Sequence, residues 1–99
     1  MSNAANGCAQ SQPKFLLGRI VATPHVLTAV HSEEILKALS RHVRGDWGTL
    51  DSEDWNANEK ALKHGGRLFS AYHSTQNVKF WIITEWNRSV TTVLLPEDY

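Results

Sequence analysis

The spacing of apolar residues changes twice along the chain. From Phe15 to Ala22 (FLLGRIVA) they are dense and partly β-branched, which predicts a strand running into a turn at Thr23-Pro24. Thr23 suits the N-cap of a short helical segment in which Val26, Leu27 and Val30 share one side. Ile35, Leu36, Leu39 and Val43 then recur at the spacing of a buried helical stripe. Ser32 can cap this second helix, Glu33 and Glu34 sit in its first turn, and Arg41, His42 and Arg44 crowd its last before Gly45. Asp51 or Ser52 can begin a third helix, with Trp55, Asn58, Ala61 and Leu62 along one side and a stop at His64-Gly65-Gly66.

From Arg67 onward the period falls to two, through RLFSAYH, VKFWIITEW and SVTTVLL, with STQN and a tight corner at Asn87-Arg88 between them. Strands joined so closely must be antiparallel neighbours. Phe80, Trp81, Ile82 and Ile83 are apolar on both faces, so the middle strand is central, with helices on one side and a different cover on the other. The pattern therefore predicts an α+β fold: an N-terminal strand, two to three helices, then a three-stranded antiparallel β-meander packed on the helices. Residues 14–99 form one domain, and the small polar residues 1–13 read as a flexible tail.

Composition narrows the function classes. At 99 residues, 41% of them hydrophobic, the chain supports one core and buries only about 60% of the surface it exposes when unfolded. Ten basic residues balance ten acidic ones, so no global field steers it to nucleic acid or an anionic membrane. No apolar run approaches the roughly 20 residues of a membrane span, and the N-terminus lacks the features of a secretory signal. Cytoplasmic residence is the expectation. Cys8 is the single cysteine, which excludes an internal disulfide, and no histidine pair has ligand spacing, so no metal site is expected. Without a Gly-rich phosphate loop or nucleophile elbow, no cofactor is expected either.

Candidate chemistry rests on scattered polar residues. His42, Arg67, Arg88 and Ser89 are the candidates for catalysis, as general acid or base, phosphate-binding guanidinium and orienting hydroxyl. Each has a plainer reading: His42 as a helix cap, Arg67 as an ion pair with Glu59 or Glu85, and Arg88 and Ser89 as turn residues. Candidate binding residues are Asp46 and Trp47 in an Asp-Trp-Gly loop, with Thr84, Glu85, Trp86 and Thr91 around the last hairpin corner. Four tryptophans could stack on bases, yet in so small a core packing is the commoner use. Trp86, beside the turn, is expected to be the most exposed.

The segments GRIVATP, SRHVRGDWGTL, Asn58 to Leu62 with GRLFSAY, and WIITEWNRSVTTVLLPEDY resemble a family of short bacterial proteins of unknown function carried on plasmids and other mobile elements. The resemblance covers Gly18 to Tyr99. Some of those proteins bear the label of a type I restriction subunit, but a methyltransferase subunit needs a Gly-rich cofactor domain that this chain lacks. A helical half followed by a meander is also similar in outline to the barnase, colicin and RelE-like ribonucleases. That likeness implies His42 as acid or base and Arg67 or Arg88 at the phosphate, in a metal-independent ribonuclease or RNA-interacting protein. The competing expectation is a non-catalytic module that binds a protein partner or a second copy through an apolar sheet face.

Overall fold

The computed structural model describes residues 12–99; Cys8 and most of the expected tail lie outside the described residues. A four-stranded sheet is built from β1 (Arg19–Ala22), β2 (Leu68–His73), β3 (Lys79–Thr84) and β4 (Val90–Leu94) in the order β1-β4-β3-β2. Helices α1 (Pro24–Ala29), α2 (Ser32–Val43) and α3 (Ser52–His64) lie between β1 and β2 in sequence, and a 3₁₀ turn at Pro96–Asp98 ends the chain. The fold is α+β, as expected. The predicted meander is present as β2-β3-β4, but the sheet is mixed rather than purely antiparallel: β1 pairs in parallel with β4, Arg19 opposite Val90 and Ala22 opposite Val93.

Local rules account for most boundaries. Gly18 adopts a left-handed φ of 66°, and a Cβ there would stand 2.4 Å from the Arg88 carbonyl oxygen, so β1 starts only at Arg19 instead of at Phe15. Thr23 caps α1 by accepting from the Val26 amide, and Asp51 caps α3 by accepting from Asp54. In α2 the N-cap is His31, without a side-chain bond, and Ser32, expected as the cap, is already the first helical residue, so the helix starts one position earlier than the sequence implied.

The predicted helical stripes need correction. Leu27 and Leu36 are 59% and 66% exposed, whereas α2 buries Ile35, Ala38, Leu39 and His42. A small residue and a polar one occupy half of that buried face, so hydrophobicity alone aims the stripe wrongly. Val26, Val30, Ile35, Leu39, Tyr72, Phe80, Ile82 and Val93 form the main core between α1, α2 and the sheet. A second cluster joins Trp47, Ala61 and Leu68, with Phe15, Leu50, Trp55 and Leu62 packed against it.

The free edge of β2 is closed by other segments. Asn58, buried on α3, donates from Nδ2 to the Phe69 carbonyl at 2.6 Å and accepts from the Phe69 amide at 3.0 Å. Two residues on, Ala71 donates to the Trp47 carbonyl and its own carbonyl accepts from the Thr49 amide. Gly48 makes this approach feasible: its φ is 81°, and a Cβ would fall 1.9 Å from the Ala71 oxygen. Edge amides that would otherwise template aggregation are thereby paired within the chain. Asn58→Ala orphans both Phe69 groups and is expected to cost about 2 kcal/mol. A thermal melt should show a fall of roughly 10 °C for a domain of this size.

Candidate functional site

Helices cover one sheet face only, and the two faces are chemically unlike. The covered face carries a buried polar chain. His42 Nδ1 lies 2.6 Å from Ser70 Oγ and Nε2 lies 2.9 Å from Thr84 Oγ1. Thr84 Oγ1 is in turn 2.7 Å from Thr91 Oγ1, and Thr91 donates to the Leu17 carbonyl at 2.7 Å. That last bond fixes the direction of every other. With its only proton committed to Leu17, Thr91 must accept from Thr84, so Thr84 accepts from His42 Nε2–H, and Nδ1 accepts from the Ser70 hydroxyl. The imidazole is neutral: burial, with the nearby Arg88 charge second, pushes it down to about 3.

The chain is sealed. His42, Ser70, Thr84 and Thr91 are all fully buried. Phe15 and Trp47 meet the imidazole edge-on, at centroid distances of 5.2 and 5.6 Å, and the Trp47 indole donates to Glu59 Oε2. Arg88 stands across Phe15 at 5.8 Å, but its guanidinium is already spent on four carbonyls, those of Ala61, Gly66, Glu85 and Trp86. Ser89 donates to Asn87 Oδ1 in the same corner. Asp46 is paired with Arg41 at 2.8 Å, which holds its carboxyl below the usual range, and accepts from the Gly48 amide.

Arg67 is on the other face, so the four residues considered for catalysis do not meet in one cavity. His42 joins Thr84 and Thr91, Arg88 lies beside them with Nη1 and Nη2 bonded to backbone carbonyls, and Arg67 is separated from all of these by the sheet. The expected ion pair of Arg67 is present, 3.6 Å from Glu85. Trp86 is 69% exposed, the most exposed of the tryptophans as expected.

The open face is apolar at its centre. Cross-strand register places Phe69 and Ala71 of β2, Trp81 and Ile83 of β3, Thr92 and Leu94 of β4, and Arg19 and Val21 of β1 on this side. Ala71, Ile83 and Leu94 are buried here and Phe69 and Trp81 half-buried, and among the described residues the side chain lying over them is Tyr99, itself 70% exposed. The Tyr99 ring meets Trp81 edge-on at 5.9 Å, and Trp81 meets Phe69 in the same way at 5.1 Å. Arg67 lies over the Tyr99 ring, 5.6 Å from its centroid, and donates to its hydroxyl at 3.0 Å. Clefts of about 200 Å³, lined by Arg67, Phe69, Trp81, Ile83 and Tyr99, and about 120 Å³, reaching Glu85, Thr92 and Leu94, flank the ring. The Trp81 indole N–H is buried without a partner among the described residues.

Phe69, Ile83, Leu94 and Tyr99 were not among the sequence candidates. The signal for them was the apolar residues at both parities of β3, which predicted a second covered face without naming its members. No family model, curated protein or solved structure matches the chain. No helix among the described residues is long and apolar enough to cross a membrane.

Proposed function

We propose that the protein is a non-catalytic binding module that docks a protein partner on the open face of its sheet, as an accessory protein of a bacterial plasmid or mobile element. The mobile-element setting rests on the sequence resemblance of Gly18 to Tyr99. The binding role rests on one observation: among the described residues, an apolar sheet face with clefts in it and half-buried Phe69 and Trp81 lies beneath a mostly exposed tyrosine. Trp81, Tyr99 and Arg67 are the residue types that dominate the energetics of protein interfaces. The rival chemistry is poorly served, because His42 is sealed and neutral and the Arg88 guanidinium is tied to four backbone carbonyls.

Two measurements test this reading. Total RNA incubated with the protein in EDTA is expected to stay intact; cleavage lost in His42→Gln would replace the binding role with an enzymatic one. Used as bait, the wild type should retain a specific protein, or a second copy, that Arg67→Glu loses. Arg67 is exposed, so its substitution should leave the melting temperature within about 2 °C. A protein that is monomeric by light scattering and retains nothing specific overturns the proposal.

A further inference from the structure

The open face already holds an occupant, and its chemistry defines what else would fit. The last residues, Pro96-Glu97-Asp98-Tyr99, fold back so that Tyr99 alone reaches the apolar centre. The root of this segment is fixed. Asp98 accepts from the Thr23 hydroxyl at 2.7 Å and from the Leu95 amide at 3.2 Å, and lies 2.6 Å from His25 Nδ1. Beyond that anchor, Tyr99 makes its backbone bond to Pro96, the Arg67 contacts and the Trp81 edge. Two clefts remain beside its ring, so it fills the site incompletely.

Charge points the same way. Arg19, Arg67 and Lys79 share the open face with one acidic side chain, Glu85, while the segment lying on that face is itself acidic. An incoming group must be aromatic or apolar to displace Tyr99 from Trp81 and Phe69, and anionic nearby to use the cationic rim.

On the basis of the binding role above, we propose that the open face is a receptor for an acidic peptide segment carrying an aromatic side chain, and that Tyr99 is its intramolecular competitor. The partner's aromatic residue takes the place of the Tyr99 ring between Trp81 and Arg67, and its carboxylates meet Arg67, Lys79 and Arg19. A side chain tethered this closely acts at an effective concentration in the millimolar range, so the free protein binds such a peptide weakly.

The probe is a fluorescein-labelled LLPEDY hexapeptide, the chain's own terminal sequence, titrated with full-length protein in a fluorescence anisotropy assay. Tyr99→Ala removes an exposed side chain and leaves the Asp98 anchor intact; near-ultraviolet circular dichroism verifies its fold. It is expected to bind the hexapeptide at least tenfold more tightly than the wild type does. Adding Arg67→Glu, or replacing the peptide tyrosine by alanine, should remove that gain. Equal binding by wild type and Tyr99→Ala, or a gain indifferent to Arg67→Glu, overturns the proposal. If Tyr99→Ala ignores the peptide but dimerises in light scattering, the occupant is a second copy: the peptide assignment fails and the binding face stands. If it ignores the peptide and stays monomeric, both fail.

Discussion

Between pH 6.5 and pH 3 the folded state is expected to lose about 5 kcal/mol through one side chain, His42. In the unfolded chain its imidazole takes a proton near pH 6.5, whereas in the fold it does so only at about 3. At about 1.4 kcal/mol per pH unit that gap gives the stated total. The folded pKa is depressed, so the contribution is complete above 6.5. It declines as the unfolded state binds the proton first, and is exhausted once pH passes below about 3. Of a typical net stability of about 5–15 kcal/mol, this is a large share. Urea melts at pH 7 and pH 4 should therefore differ by about 3 kcal/mol in the wild type. In His42→Gln, whose amide can both donate and accept, the difference should shrink to well under half. An unchanged acid limb in that variant would refute the assignment. His42→Ala is harsher, because it leaves Ser70 and Thr84 facing a void; a loss of about 4 kcal/mol, or roughly 20 °C in melting temperature, is expected.

The second large effect is expected at Arg88. Its guanidinium joins the end of α3, through Ala61 and Gly66, to the hairpin corner at Glu85 and Trp86. Arg88→Ala leaves the Gly66 and Trp86 carbonyls without this donor, takes a second donor from those of Ala61 and Glu85, which keep backbone amides, and removes a cation from a helix C-terminus, at an expected cost of about 3 kcal/mol. Arg88 also holds a left-handed φ of 60°. Arg88→Gly should therefore be milder than Arg88→Ala by about 1 kcal/mol, separating backbone strain from the lost bonds. Arg88→Lys keeps the charge but lacks the planar fork and should recover less than half of the loss. Removing this cation should also raise the His42 pKa, since Arg88 is one of the two causes of its depression. The His42 and Arg88 effects are coupled, and a double-mutant cycle should give a non-zero interaction term.

Features governed by neighbours in sequence were legible before the structure. The Thr23 and Asp51 caps, the buried side of α3 and the meander all follow from short-range rules. Leu36 and Leu27 misled because the buried faces of α1 and α2 are set by contacts across the sheet, and His42 is buried for reasons its polarity conceals. His42 meets Ser70 and Thr84, 28 and 42 positions away, and no spacing within one element announces such a meeting. Arg88 was recognised as interesting, but its role as a cap for α3 depends on the hairpin corner being brought against Gly66. The open face was half legible: Trp81 and Ile83 implied a second face, whereas its cover by Tyr99 depends on how the chain turns after β4.

The parallel pairing of β1 with β4 joins residues 19–22 to residues 90–93, and this constrains the order in which the protein can fold. The first strand has no sheet partner until the last one exists. Hairpins β2-β3 and β3-β4 close short loops and can form early, but β1 must await a closure spanning most of the chain, with the entropy that entails. During synthesis β1 therefore emerges long before its partner and stays unpaired until β4 has followed it. Thr91 needs the Leu17 carbonyl to complete the hydroxyl chain through His42, so the same late event also sets the hydrogen-bond direction of the core. Docking of β1 is expected to be the last step of folding and the first to reverse, with amide exchange fastest at Arg19–Ala22 among the four strands.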